Sequence, residues 1–399
     1  MNRPRLNRQR RNFLTALTAT AAVTSCEKPE AKQAAPSMLG DDVRAYGERS
    51  KFETAARAHG TVNLKTSSSR TPLDQTYGII TPSGLFFERH HAGVPQIDPA
   101  KHELLIHGLV ERELLFTLAD LKRLPSVSRI HFLECAGNSG SEWQSPADKA
   151  QAMCGLASCA EWTGVPVRVL LEEAGVKAGA TWSVAEGADA CLMARSVPVS
   201  KLMDDAIIAY AQNGEALRPE QGYPMRLLLP GFEGNTSVKW LRRLHIVNEP
   251  MHSREETAHY TDLLPDGKAR QYTFEMDAKS LILRPSGGHK LQQGFQEISG
   301  VAWSGRGRIT GVEISAGAGE TWQKAGLQDP VLPKAFTRFR LPWNWSGGEA
   351  TIQSRCTDET GYVQPSRDEL LAARGANSQY HYNGIKVWRV TAEGTVTNG

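Results

Sequence analysis

From Tyr77 onward the chain alternates short apolar runs with polar positions, and Gly and Pro break it at close intervals. The apolar runs at 102–108 and 226–229 predict strands, and the spacing at 117–124 and 166–174 predicts helices, so this part reads as a mixed α+β domain. A further apolar run ends at Leu133 and passes into the small, turn-prone Ala136-Gly137-Asn138, which predicts a strand that ends in a loop. Near Thr273 the pattern changes. Runs at 279–283, 297–303, 309–315, 336–342 and 350–357 recur at regular spacing, each bounded by Gly, Pro or Asn, and predict an all-β sandwich. Upstream, residues 27–69 are small and polar with few aromatics and predict an arm or tether with little core of its own and no chemistry. The expected organisation is a leader at 1–26, an arm at 27–75, an α+β domain at 76–270 and a β-sandwich at 271–399.

Composition changes this picture only at the N-terminus. The 399-residue chain is 22% charged with a formal charge of +3, nearly neutral for its length, which gives no electrostatic footprint for nucleic acid. The charge bias is local: Arg3, Arg5, Arg8, Arg10 and Arg11 precede a weakly apolar run at 13–23, with no acidic residue before Glu27. That order is a targeting segment, too short to span a bilayer. Arg10-Arg11-Asn12-Phe13-Leu14 resembles the twin-arginine signal, which exports folded proteins and so permits a cofactor to be inserted before export. A periplasmic location follows. Val23-Thr24-Ser25-Cys26 resembles a lipoprotein box that would place a lipid anchor on Cys26; the alternative is cleavage after Ala19–Ala22 with Cys26 a bystander.

Several common chemistries lack support. His102 and His107 lie five apart, which neither a helix nor a strand places on one face, so they read as structural. Gly137-Asn138-Ser139-Gly140 lacks the spacing of a nucleophile elbow, and neither a Walker loop nor a dinucleotide glycine motif occurs. No C-x-x-C-H haem motif is present, so electrons from any redox chemistry must leave through another polypeptide. Six cysteines in an exported chain suggest disulfides, with Cys154–Cys159 and Cys191–Cys356 as open pairings. Cys135 stands apart at the end of its strand, where a rigid scaffold can present a thiolate, a soft donor suited to a transition metal.

Cys135 lies in Glu134-Cys135-Ala136-Gly137-Asn138, and further segments follow in order: Arg89-His90-His91 with Val94-Pro95, Glu161-Trp162-Thr163-Gly164, Glu186-Gly187-Ala188-Asp189, Gly222-Tyr223-Pro224-Met225-Arg226, Pro230-Gly231, Ser237-Val238-Lys239-Trp240-Leu241, and Gly300-Val301-Ala302-Trp303-Ser304-Gly305 through Glu320-Thr321-Trp322. Together these resemble the signatures of the sulfite oxidase family of molybdenum enzymes over nearly the whole mature chain. The resemblance implies a molybdopterin-binding α+β domain followed by an immunoglobulin-like dimerisation domain, a homodimer, and Cys135 as the molybdenum ligand. It also implies cofactor contacts from His90, His91, Asp189, Gln221, Arg226, Ser237, Val238 and Lys239. Arg226 and Lys239, with amides near Ser237, would take the pterin phosphate. Arg89 and Arg374 would hold the substrate, Tyr260 would place a phenol near the metal, and Trp162 would wall the pocket.

The sequence departs from the animal enzymes at three places. His90 stands for an asparagine, Gln221 for a histidine, and Ser139-Gly140 for an arginine pair. Loss of those arginines weakens the case for a free oxyanion substrate and is similar to the sulfane-oxidising branch of the family. That branch implies oxygen-atom transfer to a sulfane sulfur held on a carrier protein's cysteine, or to sulfite in the nearest alternative, with a c-type cytochrome subunit as electron acceptor. A non-catalytic subunit is the reading from another class, against which the intact Cys135, Arg226 and Lys239 stand. The export reading is checked by fractionation: Arg10→Lys with Arg11→Lys should retain active protein in the cytoplasm, whereas undiminished periplasmic protein would mean another route.

Overall fold

The structure, a computed structural model, describes residues 43–62 and 66–399. The arginine-rich leader and Cys26 lie outside the described residues. Residues 43–53 belong to a separate short unit, and the chain from Thr54 to Gly399 forms one compact unit.

Three sheets build the first part of that unit. Strands Ala58–Val62, Ser67–Arg70 and Glu88–His90 form a small antiparallel sheet from the arm and the first family-like segment. A second sheet runs Glu215–Ala216, Ile207–Gln212, Ala157–Pro166, Val127–Glu134, with Arg226–Leu228 also pairing on Ile207–Gln212. The third runs Leu114–Thr117, Glu103–Gly108, Leu241–Val247, Trp182–Gly187, Ala194–Pro198, and its pairing of Leu241–Val247 with Glu103–Gly108 is parallel. The predicted helices appear in shortened form. Leu118–Leu121 is opened by a Thr117–Asp120 capping box, which satisfies backbone amides left unpaired at a helix start. Val167–Ala174 buries Val167, Leu170, Leu171 and Ala174 on one face and stops at Gly175, whose φ of 71° favours a residue without Cβ. Their apolar faces close a core with Leu104, Ile106, Leu244 and Ile246 of the third sheet.

The second part is a sandwich of two antiparallel sheets. One is Lys279–Arg284, Gly294–Trp303, Thr337–Trp345, Gly326–Gln328; the other is Gln323–Lys324, Ile309–Ser315, Ala350–Asp358, Val387–Val390, Val396–Asn398. Alternation of inward and outward residues supplies its core, including Ile298, Val301, Val312, Ile314, Ile352 and Trp388. The same cluster takes in Phe132, Trp143 and Met153 of the first part and Leu73 of the arm, so the two parts share buried apolar surface. The arm thus carries one anchor in a core that its composition does not announce.

The junction is tight at two glycines. The Gly231 carbonyl sits against Gly305, and a Cβ on Gly305 would meet Gly231 O at 2.0 Å, while one on Gly231 (φ +80°) would meet Gly305 O at 2.2 Å. Met276 bridges them, donating to Gly231 O at 3.0 Å and accepting from Gly305 N at 2.7 Å. Backbone cannot yield here as a side chain would. Gly305→Ala should therefore destabilise the protein by about 1–3 kcal/mol, the usual cost of forcing a methyl into a packed site. A chemical-denaturation midpoint equal to that of the unsubstituted protein would contradict this.

Candidate active site

The strand Val127–Glu134 ends where its sheet meets the third sheet and the small arm sheet, and the following loop presents Cys135 to a cavity of about 670 Å³ including its open mouth. The loop is held by its own backbone. Cys135 N donates to Leu156 O at 2.9 Å, Asn138 N donates to Cys135 O at 2.8 Å, and Ser139 turns the chain with a φ of 63°. Burial pushes the Cys135 thiol up, and the nearby Arg89 charge works in the opposite sense. A cation placed against such a thiol favours its thiolate form.

Around Cys135 the cavity gathers Arg89, His90, His91, Asp189, Gln221, Arg226, Ser237, Val238, Lys239 and Tyr260. All of these were expected from sequence, though they come from segments scattered over the chain. Arg226 is 3% exposed and its guanidinium is spent on carbonyls, donating to Gln221 O at 3.0 Å and Ser237 O at 2.8 Å. Burial alone pulls its pKa down to about 9. Burial, then the neighbouring Arg226, pulls Lys239 down to about 7. Its ammonium donates to Arg89 O at 3.0 Å, Glu220 O at 3.0 Å and His90 Nδ1 at 2.8 Å. That leaves His90 Nε2 as the protonated nitrogen facing Glu88 Oε2 at 2.9 Å. Arg57 of the arm completes the chain as the ion-pair partner of Glu88, so the arm does enter the chemistry of the site. Two buried cations side by side, neither of them ion-paired to a carboxylate among the described residues, fit an anionic group such as a cofactor phosphate. A soft thiol donor in the same cavity fits the metal that such a cofactor carries.

Tyr260 closes the opposite wall. Its hydroxyl and His91 Nε2 are hydrogen-bonded at 2.9 Å, its ring faces Tyr380 with centroids 5.2 Å apart, and the Arg195 guanidinium lies 5.1 Å from its ring centre. Burial, then the Arg89 charge, pulls His91 down to about 4, so it is neutral at working pH and can exchange a hydrogen bond with the phenol. Tyr260 has a φ of 50°, a strained backbone for a bulky side chain that the surrounding packing imposes.

Two expected residues stand elsewhere. Trp162 does not wall the cavity: it is 0% exposed, one layer deeper, donates to His131 O at 3.2 Å and lies under the Arg226 guanidinium at 5.2 Å. Arg374 does not line it either. It ends the helix Arg367–Arg374 in the second part and is held by Asp277 Oδ2 at 2.8 Å and His381 O at 3.2 Å. The amides of Ser237 and Val238 are also engaged, with Gly234 O and Thr236 O, which leaves the side chains of Arg226 and Lys239 as the cationic groups beside them. The five described cysteines are all free, which removes the Cys154–Cys159 and Cys191–Cys356 pairings. His102 and His107 are structural as expected: His102 is bonded to Leu241 O at 2.8 Å, and His107 stacks on His245 at 4.3 Å. Sequence reasoning missed Phe86, Phe87, Met193 and Asn235 in the cavity wall. Asn235 has both amide atoms buried without a protein partner, a signal that exists only in three dimensions.

Replacing either buried cation should empty the cavity of its anion. Arg226→Met or Lys239→Met removes a charged hydrogen bond on the order of 1.5–3 kcal/mol, so molybdopterin retained per chain should fall tens- to hundredfold in affinity. Fluorescence of the oxidised pterin released from purified protein measures it. Since Lys239 carries its charge below about pH 7, pterin uptake by cofactor-free protein should weaken as pH rises from 7 to 9, and Lys239→Met should flatten that dependence.

An oxidoreductase molybdopterin binding domain is matched at residues 91–255 and a Mo-co oxidoreductase dimerisation domain at 270–388. The chain is 29% identical to sulfite oxidase of Gallus gallus, over 85% of this chain and 77% of that protein. It is 30% identical to mitochondrial sulfite oxidase of Mus musculus, over 73% of this chain and 58% of that one. In the crystal structure of the sulfane dehydrogenase SoxCD from Paracoccus pantotrophus, one chain superposes with a TM-score of 0.88 at 48% identity, over 91% of this chain and 95% of that chain. With both domains matched in order and this likeness spanning most of its length, the chain belongs to the sulfite oxidase family of molybdopterin oxidoreductases.

Proposed function

We propose that this chain is the molybdenum subunit of a periplasmic sulfane dehydrogenase, oxidising a sulfane sulfur carried on a partner protein's cysteine and passing the electrons to a c-type cytochrome subunit. Cys135 would ligate the metal, and Arg226, Lys239, His90, His91, Asp189 and Gln221 would hold the pterin. When bound, that cofactor supplies oxygen-atom transfer and accepts an electron pair. The chain's own residues orient and shield the reacting sulfur. Phe86, Phe87, Leu133 and Met193 exclude water from the cavity, and Tyr260, fixed by His91, offers a phenolic hydrogen bond.

One observation carries the choice of substrate. A free oxyanion needs converging cations whose charge is not already neutralised. Outside the cavity lining, Arg374 is paired with Asp277 at 2.8 Å, and Arg195 is held between Glu233 at 2.9 Å and Glu256 at 3.3 Å, so neither brings free charge to it. Arg89 is the arginine whose charge acts on Cys135. With Arg226 and Lys239 assigned to the pterin, Arg89 beside the apolar Phe86, Phe87, Leu133 and Met193 suits a sulfur atom at the tip of a carrier segment better than a free oxyanion. Export by the twin-arginine route, assembly into a homodimer through the second domain, and a lipid on Cys26 belong to the same proposal; none of them alters the chemistry.

Steady-state kinetics with a persulfidated carrier protein and with sulfite, using a c-type cytochrome as acceptor, test it. Arg89→Gln should lower kcat for the carrier tens- to hundredfold, the loss of a charge-assisted contact of about 1.5–3 kcal/mol, with a smaller change in KM because most carrier affinity comes from surfaces remote from the metal. Arg374→Gln should act through loss of its Asp277 pairing and leave KM for either substrate nearly unchanged. Efficient turnover of sulfite alone, with KM raised in both variants, would instead make the chain a sulfite dehydrogenase.

A further inference from the structure

The second domain reaches into the back of the metal-ligand loop. Lys279 and Trp303 face each other in register on adjacent strands of the sandwich. Both aim at the carboxylate of Glu134, the residue immediately before Cys135. Trp303 Nε1 donates to Glu134 Oε2 at 2.6 Å, and Lys279 Nζ donates to Glu134 Oε1 at 3.1 Å. Asn138 Nδ2 donates to the same Oε1 at 2.9 Å, while its Oδ1 accepts from Leu156 N at 3.1 Å. Lys279 also donates to Ser139 Oγ at 2.9 Å, on the far side of the loop. Glu134, Lys279 and Trp303 are each 1% exposed or less. A third tie comes from His381 N, which donates to Ala136 O at 2.8 Å. Residues 134, 136 and 139 of the loop are thus gripped from the sandwich side, with Cys135 between them.

We infer that Lys279 and Trp303 are positioning residues for the metal thiolate: through Glu134 and Ser139 they set the direction in which Cys135 meets the molybdenum, so the dimerisation domain is also part of the metal site. A buried ion pair is poor value as general stabilisation, since its desolvation offsets much of its attraction. Here the pair also holds one geometry, because the carboxylate has an N–H donor on each oxygen and the ammonium reaches both ends of the loop. Groups that orient a metal ligand act on the metal's electronic state as well as on its retention. Simple scaffolding would affect only how many molecules hold metal.

The inference rests on Cys135 being the ligand, and the experiment separates the two. Holoenzyme with Lys279→Met or Trp303→Phe is compared with the unsubstituted protein and with Ile352→Ala, a deep substitution in the other sheet of the sandwich. Molybdenum per chain, the paramagnetic resonance signal and midpoint potential per bound molybdenum, kcat and KM are measured. In both positioning variants the signal and potential per bound metal should change, and kcat should fall about 10- to 100-fold, the usual effect of removing a group behind a metal ligand, with little change in KM. Ile352→Ala should leave every per-metal quantity unaltered. If Lys279→Met does not fold, Trp303→Phe, which keeps an aromatic side chain but loses the indole N–H, decides alone. An unchanged signal, potential and kcat per bound metal in the positioning variants would overturn the inference and reduce the contact to scaffolding. Full metal content and activity in Cys135→Ser would overturn the ligand assignment beneath it.

Discussion

Arg226 lies out of water with no carboxylate beside it, Lys239 lies next to it, and a buried thiol sits in the same cavity. Each of these groups is costly to bury by itself in the form the chemistry needs. They become compatible when one anionic, metal-bearing molecule satisfies them together. Much of the fold serves that constraint: three sheets converge on the cavity, Trp162 supports the guanidinium from below, and Arg57, Glu88 and His90 hold the ammonium in place. Where charges are neutralised within the protein, as at Arg195 with Glu233 and Glu256, no anion is called for.

The buried cations thus fall into two kinds, those neutralised by a carboxylate and those that are not. Arg226 and Lys239 line the cavity without an ion-paired carboxylate, whereas Arg374 and Arg195, outside its lining, are neutralised by Asp277, Glu233 and Glu256. The cavity also has apolar walls at Phe86, Phe87, Leu133 and Met193, which make a hydrated ion costly to admit there. The two domains are likewise less separate than their sequence textures imply. They share one apolar cluster, touch backbone to backbone at Gly231 and Gly305, and meet again at Glu134 behind Cys135.

Local pattern determined a great deal about this protein. The strand at Ile309–Ser315 and the helix over Val167–Ala174 coincide closely with the apolar spacing that predicts them, because side-chain period and capping are properties of neighbouring residues. The sandwich after Thr273, and a strand running into the loop that carries Cys135, follow from the same information. The order of the family-like segments named most of the cavity, since each segment keeps its own local geometry. Tertiary structure alone decided depth and pairing. Trp162 looks like a pocket wall in sequence and proves to be a floor under Arg226; Arg374 looks like a substrate cation and proves to be tied to Asp277, far away along the chain. Lys279 and Trp303 carry no sign of their position behind Cys135, and Asn235 none of its unpaired amide. Whether a charge is free or neutralised, and whether a ring faces a cavity or a core, depends on which distant segments fold against it, and no periodicity along the chain encodes that.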